Sequence, residues 1–172
     1  MRKKVFMAIA AVMFLCGLAT VTTSCDEKDE NETNSEWMLR NSINGVGWSA
    51  KRVKVNGNWI SDDSEEYYAH GLAFDIKFSA SNRNFKCTKY YYLEKEGADP
   101  KEYIADESSR ESYTYGDGTA YTIKGQVVEA TVSGNPFFKM EVLEEPKSTL
   151  HCIVTFYKDN RSFEIEMDRV LL

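Results

Sequence analysis

The chain has 172 residues, 42% hydrophobic, 13% aromatic and 28% charged, with 27 acidic against 21 basic side chains. That length predicts one compact domain; the plentiful aromatics, with only 10 Gly and 3 Pro, exclude collagen-like, low-complexity and fully disordered chains. The one long apolar stretch lies at the extreme N-terminus, which excludes a polytopic helical membrane protein.

Arg2, Lys3 and Lys4 precede an uncharged apolar run from Val5 to Val21, and Thr22, Thr23 and Ser24 lead into Cys25. Positive start, apolar middle and small residues before a cut are the order of a secretory signal. The run sits at the bottom of the bilayer-spanning range and ends without a basic stop-transfer cluster, which favours a cleaved signal over residues 1–24 rather than a retained anchor. Val21-Thr22-Thr23-Ser24-Cys25 resembles the lipobox of lipoproteins of the Bacteroidetes type, with Thr22 where Leu is commonest. The resemblance implies acylation of Cys25, attachment to the bacterial outer membrane through lipid alone, and an otherwise soluble protein.

Residues 25–36 then read as the lipidated Cys and an acidic disordered tether: Asp26 to Glu36 holds six acids, one Lys and nothing to bury. Extended, those eleven residues reach at most about 35–40 Å. Lys28-Asp29-Glu30 resembles the tag that sends such lipoproteins to the cell surface; a plain spacer is the alternative. The three basic residues of 1–24 leave with the signal and no acidic one does, so 18 of the 21 basic side chains face all 27 acidic ones. No basic cluster follows residue 4, which excludes a nucleic-acid partner.

The domain proper is expected over residues 37–172. Trp37 to Ile43 reads as a short helix plugging one end. Thereafter β patterns alternate with turn signals. Trp48 to Val55 closes at Asn56-Gly57, and Leu72, Phe74, Ile76 and Phe78 alternate with Ala73, Asp75, Lys77 and Ser79. Phe85, Cys87 and Tyr91 continue the theme, with Tyr91 inward and Tyr90 and Tyr92 outward. Glu94 to Glu111 is a long polar excursion, either a lid or a surface loop, in which Asp99-Pro100-Lys101-Glu102 has the form of a helix start. Tyr121 to Ile123, Val127 to Val132, Phe138 to Val142, Leu150 to Phe156 and Phe163 to Met167 complete about eight strands, the last five joined by short connections with turns at Ser133-Gly134-Asn135 and Asp159-Asn160. Short antiparallel connections make sequence neighbours spatial neighbours, so the expected fold is all-β, an eight-stranded antiparallel up-and-down barrel, with a two-sheet sandwich as the alternative.

Gly45-Val46-Gly47-Trp48 at the first strand, the eight-strand order and Arg169 near the end of the last strand resemble the lipocalin-like domains of Bacteroidetes lipoproteins. The motif is off by one from the Gly-x-Trp that opens a lipocalin. The resemblance implies that Arg169 lies across Trp48, a cation over an indole face. It also implies a small apolar or amphipathic ligand held by Leu72, Phe74, Ile76, Tyr121, Phe138, Met140 and Phe156. An eight-stranded barrel either holds one small ligand or is filled by its own side chains. The filled version makes the protein a surface interaction or glycan-capture accessory, with an envelope protein as partner and an aromatic patch around Tyr90 and Tyr92.

Catalytic and metal signals are weak. His70 and His151 stand alone, no nucleophile elbow, P-loop or dinucleotide fingerprint occurs, and Asp62-Asp63-Ser64-Glu65-Glu66 reads as a solvated charge run rather than a calcium loop. No enzyme, cofactor or metal is therefore expected. After removal of Cys16 and acylation of Cys25, Cys87 and Cys152 remain, and inward positions on distant strands predict two buried free thiols.

Overall fold

The computed structural model describes residues 27–171; the predicted signal of residues 1–24 and the acylation site Cys25 lie outside the described residues. Each of the eight expected segments is a strand, and three short strands join them. In chain order these are α1 (Asn34–Ile43), β1 (Gly47–Val55), β2 (Asn58–Ser61), α2 (Glu65–His70), β3 (Leu72–Phe78), β4 (Phe85–Glu94), β5 (Tyr103–Ala105), β6 (Glu111–Tyr113), β7 (Thr119–Lys124), β8 (Val127–Val132), β9 (Asn135–Val142), β10 (Thr149–Phe156) and β11 (Arg161–Val170).

The strands form one curled antiparallel half-barrel sheet in the order β5-β4-β3-β1-β11-β10-β9-β8-β7, with β2 paired to β1 and β6 to β4. The first long strand therefore lies against the last, and Trp48 faces Arg169 in register. Two-residue turns set much of that register. Asn56-Gly57 and Ser133-Gly134 both take positive φ at both positions, the backbone twist that matches right-handed strands and that glycine tolerates at the second site.

Period-two patterning puts one apolar row inward along every long strand. β3 alternates buried and half-buried over its whole length, as does β10. The core so formed includes Trp48, Val53, Leu72, Phe74, Ile76, Phe78, Phe85, Tyr91, Phe138, Met140, Phe156, Ile165 and Met167. Between β7 and β4 the backbone ladder is interrupted. Tyr121 N–H donates to the Arg83 carbonyl at 2.8 Å, while Thr119 Oγ1 donates to the Phe85 carbonyl at 2.7 Å.

Helix α1 starts three residues earlier than the sequence pattern indicates, because Thr33 caps it in a reciprocal box with Glu36. It packs across one end of the sheet: Trp48 Nε1 donates to the Ile43 carbonyl at 3.2 Å, and Tyr121 Oη to Asn44 Oδ1 at 2.6 Å. The segment before it is not a free tether throughout. Glu32 receives Arg40 Nε at 2.9 Å and Nη2 at 2.8 Å, and Arg40 also donates to the Glu27 carbonyl at 2.9 Å. Arg83, from the β3–β4 turn, bridges Asp29 and Glu32. The hydrogen bonds from Arg40 hold the Glu32 carboxyl down at about 2 against an ordinary 4.5.

The 94–111 excursion is neither a helix nor a lid. Residues 99–102 lead instead into β5, where Lys95 N–H donates to the Glu102 carbonyl at 2.8 Å and the ion pairs Lys95–Glu102 and Lys101–Glu94 stitch the turn. β5, a 3₁₀ turn at Glu107–Ser109 and β6 then run along the free edge of β4. Asp106 N–H donates to the Tyr91 carbonyl, and Ser109 Oγ accepts from Tyr91 N–H, each at 2.8 Å. Edge pairing over several residues outweighs the local capping preference of Asp99-Pro100, and it covers a strand edge that would otherwise be open. Among the described residues no helix is long and apolar enough to cross a membrane.

Candidate functional site

The seven residues expected to contact a ligand all sit in the core, each 0–2% exposed. They are packed on one another. The Phe74 ring meets Phe138 at 5.5 Å and Phe156 at 5.3 Å between centroids, both edge-on, and Phe138 meets Phe156 at 6.2 Å. Phe85 and Phe137 extend the cluster, at 5.7 and 5.4 Å from Phe138, and Tyr121 stands edge-on to Phe78 at 5.0 Å. Edge-to-face contacts of this kind are attractive beyond the burial of the rings themselves.

Trp48 is fully buried, and the Arg169 guanidinium carbon lies 5.3 Å from its ring centre, within cation–π range, although Arg169 itself remains exposed. The inward parity of β11 puts Arg169 on the same side of the sheet as Trp48, its register partner on β1.

The inward row of β4 contains a charge that its alternation signals and apolar patterning does not: Lys89, between Cys87 and Tyr91, is 1% exposed. Its Nζ lies 3.2 Å from both Glu111 and Asp159, and 4.2 Å and 4.9 Å from the ring centres of Tyr91 and Phe156. Tyr91 Oη donates to Asp159 at 2.6 Å, and the Arg161 guanidinium carbon lies 3.8 Å from the Tyr91 ring centre. Burial works against ionised Asp159, but the hydrogen bonds from Tyr91, the Arg161 N–H and Lys89 outweigh it and hold the carboxyl below its ordinary value. Burial and the Asp159 hydrogen bond push the Tyr91 hydroxyl up. This network closes the end of the sheet at the β10–β11 turn.

Surface clefts open elsewhere. One of about 370 Å³ lies over β1, β10 and β11, between Arg52, Lys147, His151 and Glu166. His151 Nε2 is 3.0 Å from Glu164 and Nδ1 3.4 Å from Glu144, and its ring meets Trp59 edge-on at 5.2 Å. A second, of about 190 Å³, lies on the outer face of β1, β3 and β4 beneath α2, walled by Tyr68, Tyr90, Tyr92, Lys51 and Asp62. A third, of about 280 Å³, continues along β4 past Thr88, Ser112 and Thr114. A fourth, of about 150 Å³, lies between α1 and Pro146. Of the seven residues expected to contact a ligand, Phe74 alone lines one of these four clefts, the second; Leu72, Ile76, Tyr121, Phe138, Met140 and Phe156 line none of them.

The tyrosines of the outer face form a connected set. Tyr68 meets Tyr92 edge-on at 4.9 Å and stacks with Tyr103 at 6.5 Å, and Tyr90 meets Tyr92 at 5.5 Å. Tyr67, fully buried at the base, donates to the Leu72 carbonyl at 2.8 Å and pins α2 to β3. The Asp62–Glu66 run thus spans the start of α2, with Ser64 as its N-cap and Glu65 and Glu66 in its first turn, and Asp62 is paired to Lys51 at 2.7 Å. Alternation had placed Tyr90 and Tyr92 outward; Tyr68, Lys51 and Asp62 are brought to them only by α2 and β1. Cys87 and Cys152 are buried and unbonded. Among the described residues no group of three His, Cys, Asp or Glu side chains is arranged to hold a metal ion.

The fold and its outer-face clefts define an all-β protein built on a curled antiparallel sheet. Comparison with protein-family models, with characterised proteins and with solved structures returns no match to this chain.

Proposed function

We propose that this is a lipid-anchored, non-enzymatic binding protein of the bacterial outer membrane, a lipocalin-like barrel whose interior is its own core and whose ligand is taken on the outer surface. Pairing of the first long strand with the last, and the side-chain bridge from Thr119 to Phe85, support closure of the sheet into a barrel. The lipobox-like Val21-Thr22-Thr23-Ser24-Cys25 supports the anchor. The mutual packing of Phe74, Phe138 and Phe156 carries the rest: rings that satisfy one another leave no apolar wall waiting for a ligand. The test is native mass spectrometry of the chain from residue 25, with Cys25→Ser, against fatty acids, bile acids and tetrapyrroles. The proposed reading expects no apolar adduct; a stoichiometric one that Phe74→Ala strengthens overturns it in favour of an interior carrier.

A further inference from the structure

We infer that the outer face of β3 and β4 binds a neutral oligosaccharide, in one groove made of the tyrosine cleft and the hydroxyl-lined cleft beside it. The inference rests on the surface-binding reading above and names its ligand class.

The two clefts share Asp75. That residue sits at the middle of β3, opposite Ser49 of β1 and Thr88 of β4. Its carboxylate is half-buried and has no hydrogen-bond or ion-pair partner among the described residues. On one side of it lie Tyr68, Tyr90 and Tyr92; on the other lie Thr88 and Ser112, their hydroxyl oxygens 3.1 Å apart, then Thr114. From Lys86 to Tyr92 the groove follows roughly 20 Å of strand, long enough for several sugar rings in a row.

The walls select the chemistry. They present hydroxyls, which both donate and accept, together with carboxylates and ammonium groups, so a polyhydroxylated ligand can satisfy them in either sense. An apolar ligand would strand Asp75 without water and strip water from the Lys51–Asp62 ion pair, which disfavours it. The rings of Tyr68, Tyr90 and Tyr92 are taken up by one another, by Tyr103 and by the Arg110 guanidinium, so the wall they give the cleft is polar and meets the hydroxyls of a sugar rather than its apolar side. Charge decides between sugar classes. Lys51 and Lys86 offset Asp62 and Asp75, so the groove has no net charge to draw a uronic acid, a sulfated chain or an amine.

The test uses the chain from residue 25 with Cys25→Ser and a panel of linear oligomers of glucose, mannose, xylose and N-acetylglucosamine, with a galacturonic acid oligomer as the charged comparison. Amide shifts are followed by NMR, and affinity by titration calorimetry. At least one neutral oligomer is expected to bind with shifts confined to Ser49, Asp75, Thr88, Tyr90, Tyr92 and their neighbours. Asp75→Ala is expected to weaken it about tenfold or more with little change in melting temperature, since no hydrogen bond or ion pair of the fold ends on that carboxylate and only its longer-range attraction for Lys51 is lost; Tyr68→Ala should weaken it similarly. Shifts mapping elsewhere, affinity unchanged in both variants, preference for the charged oligomer, or no binding across the panel would each overturn the inference. An overturned sugar site together with an interior that stays free of apolar adducts leaves the surface-binding reading standing, whereas an interior adduct removes that reading itself.

Discussion

Replacing Phe138 by Ala tests whether the inner face is a core or a container. Its ring is fully buried, and four others, Phe74, Phe85, Phe137 and Phe156, surround it at 5.4 to 6.2 Å between centroids. In a packed core the loss combines the transfer free energy of the removed ring with the cavity left behind, about 3–5 kcal/mol for Phe to Ala. For a domain of this size that corresponds to a fall in melting temperature of about 6–20 °C. A urea titration read by tryptophan fluorescence gives the free energy, and the slope should match the parent, since the same surface is exposed on unfolding. In a container, by contrast, the ring already borders free space, so truncation costs little and enlarges the room for an apolar probe. A loss below about 1 kcal/mol together with new or stronger uptake of a fatty acid would refute the packed-core reasoning.

Glu32 provides a pH prediction. Its carboxyl is depressed in the folded protein, so the stability it contributes is fully present above about 4.5 and is lost as pH falls toward 2; Glu32→Gln should flatten that acid limb in melts run across the range, and an unchanged limb would contradict the Arg40 pairing. Lys89→Met should cost toward the lower end of about 3–5 kcal/mol by urea denaturation, because Glu111 and partly exposed Asp159 lose the ammonium between them while Glu111 keeps Lys158 and Asp159 keeps Tyr91. Adding Asp159→Asn should recover part of that, and a neutral single variant would contradict the network. Burial pushes the Cys87 thiol up to about 12 and raises Cys152 as well, so a disulfide reagent at about pH 8 should leave both untouched in the native protein and label both after denaturation. Rapid labelling of the folded chain would show the thiols to be accessible.

The eight long strands were legible because a strand with one wet face writes its period into the residue string, as in Leu72, Phe74, Ile76 and Phe78. β2, β5 and β6 were not, since three or four residues carry no period and their pairing depends on which edge lies beside them. Asp99-Pro100 had the form of a helix start, yet β4's free edge was the stronger attraction. Ser64 before Glu65 and Glu66 was a readable cap for α2, hidden within a run that also reads as solvated charge. Lys89 was readable as inward by parity, but Glu111 and Asp159, 22 and 70 residues away, could not be named from sequence as its partners. The groove shows the same divide. Tyr90 and Tyr92 follow from alternation, whereas their meeting with Tyr68, Lys51 and Asp62 depends on how β1, β3 and α2 are laid together.

The docking of Glu27 and Glu32 onto Arg40 bears on how a membrane-held version of this protein would meet its ligands. For a chain acylated at Cys25, the first backbone atom tied to the body of the domain lies only two residues further on, at Glu27. The leash is then about 7 Å of chain, rather than eleven free residues. A body so closely tied sweeps a thin shell above the bilayer, and encounters with anything else fixed in that shell become nearly intramolecular, with an effective concentration set by the leash rather than by diffusion in bulk. Under that geometry a weak groove is sufficient for capture from a neighbouring surface molecule, and losing both the Arg40 and the Arg83 contacts of the segment would dilute such a protein with respect to the membrane without altering a single residue of the groove.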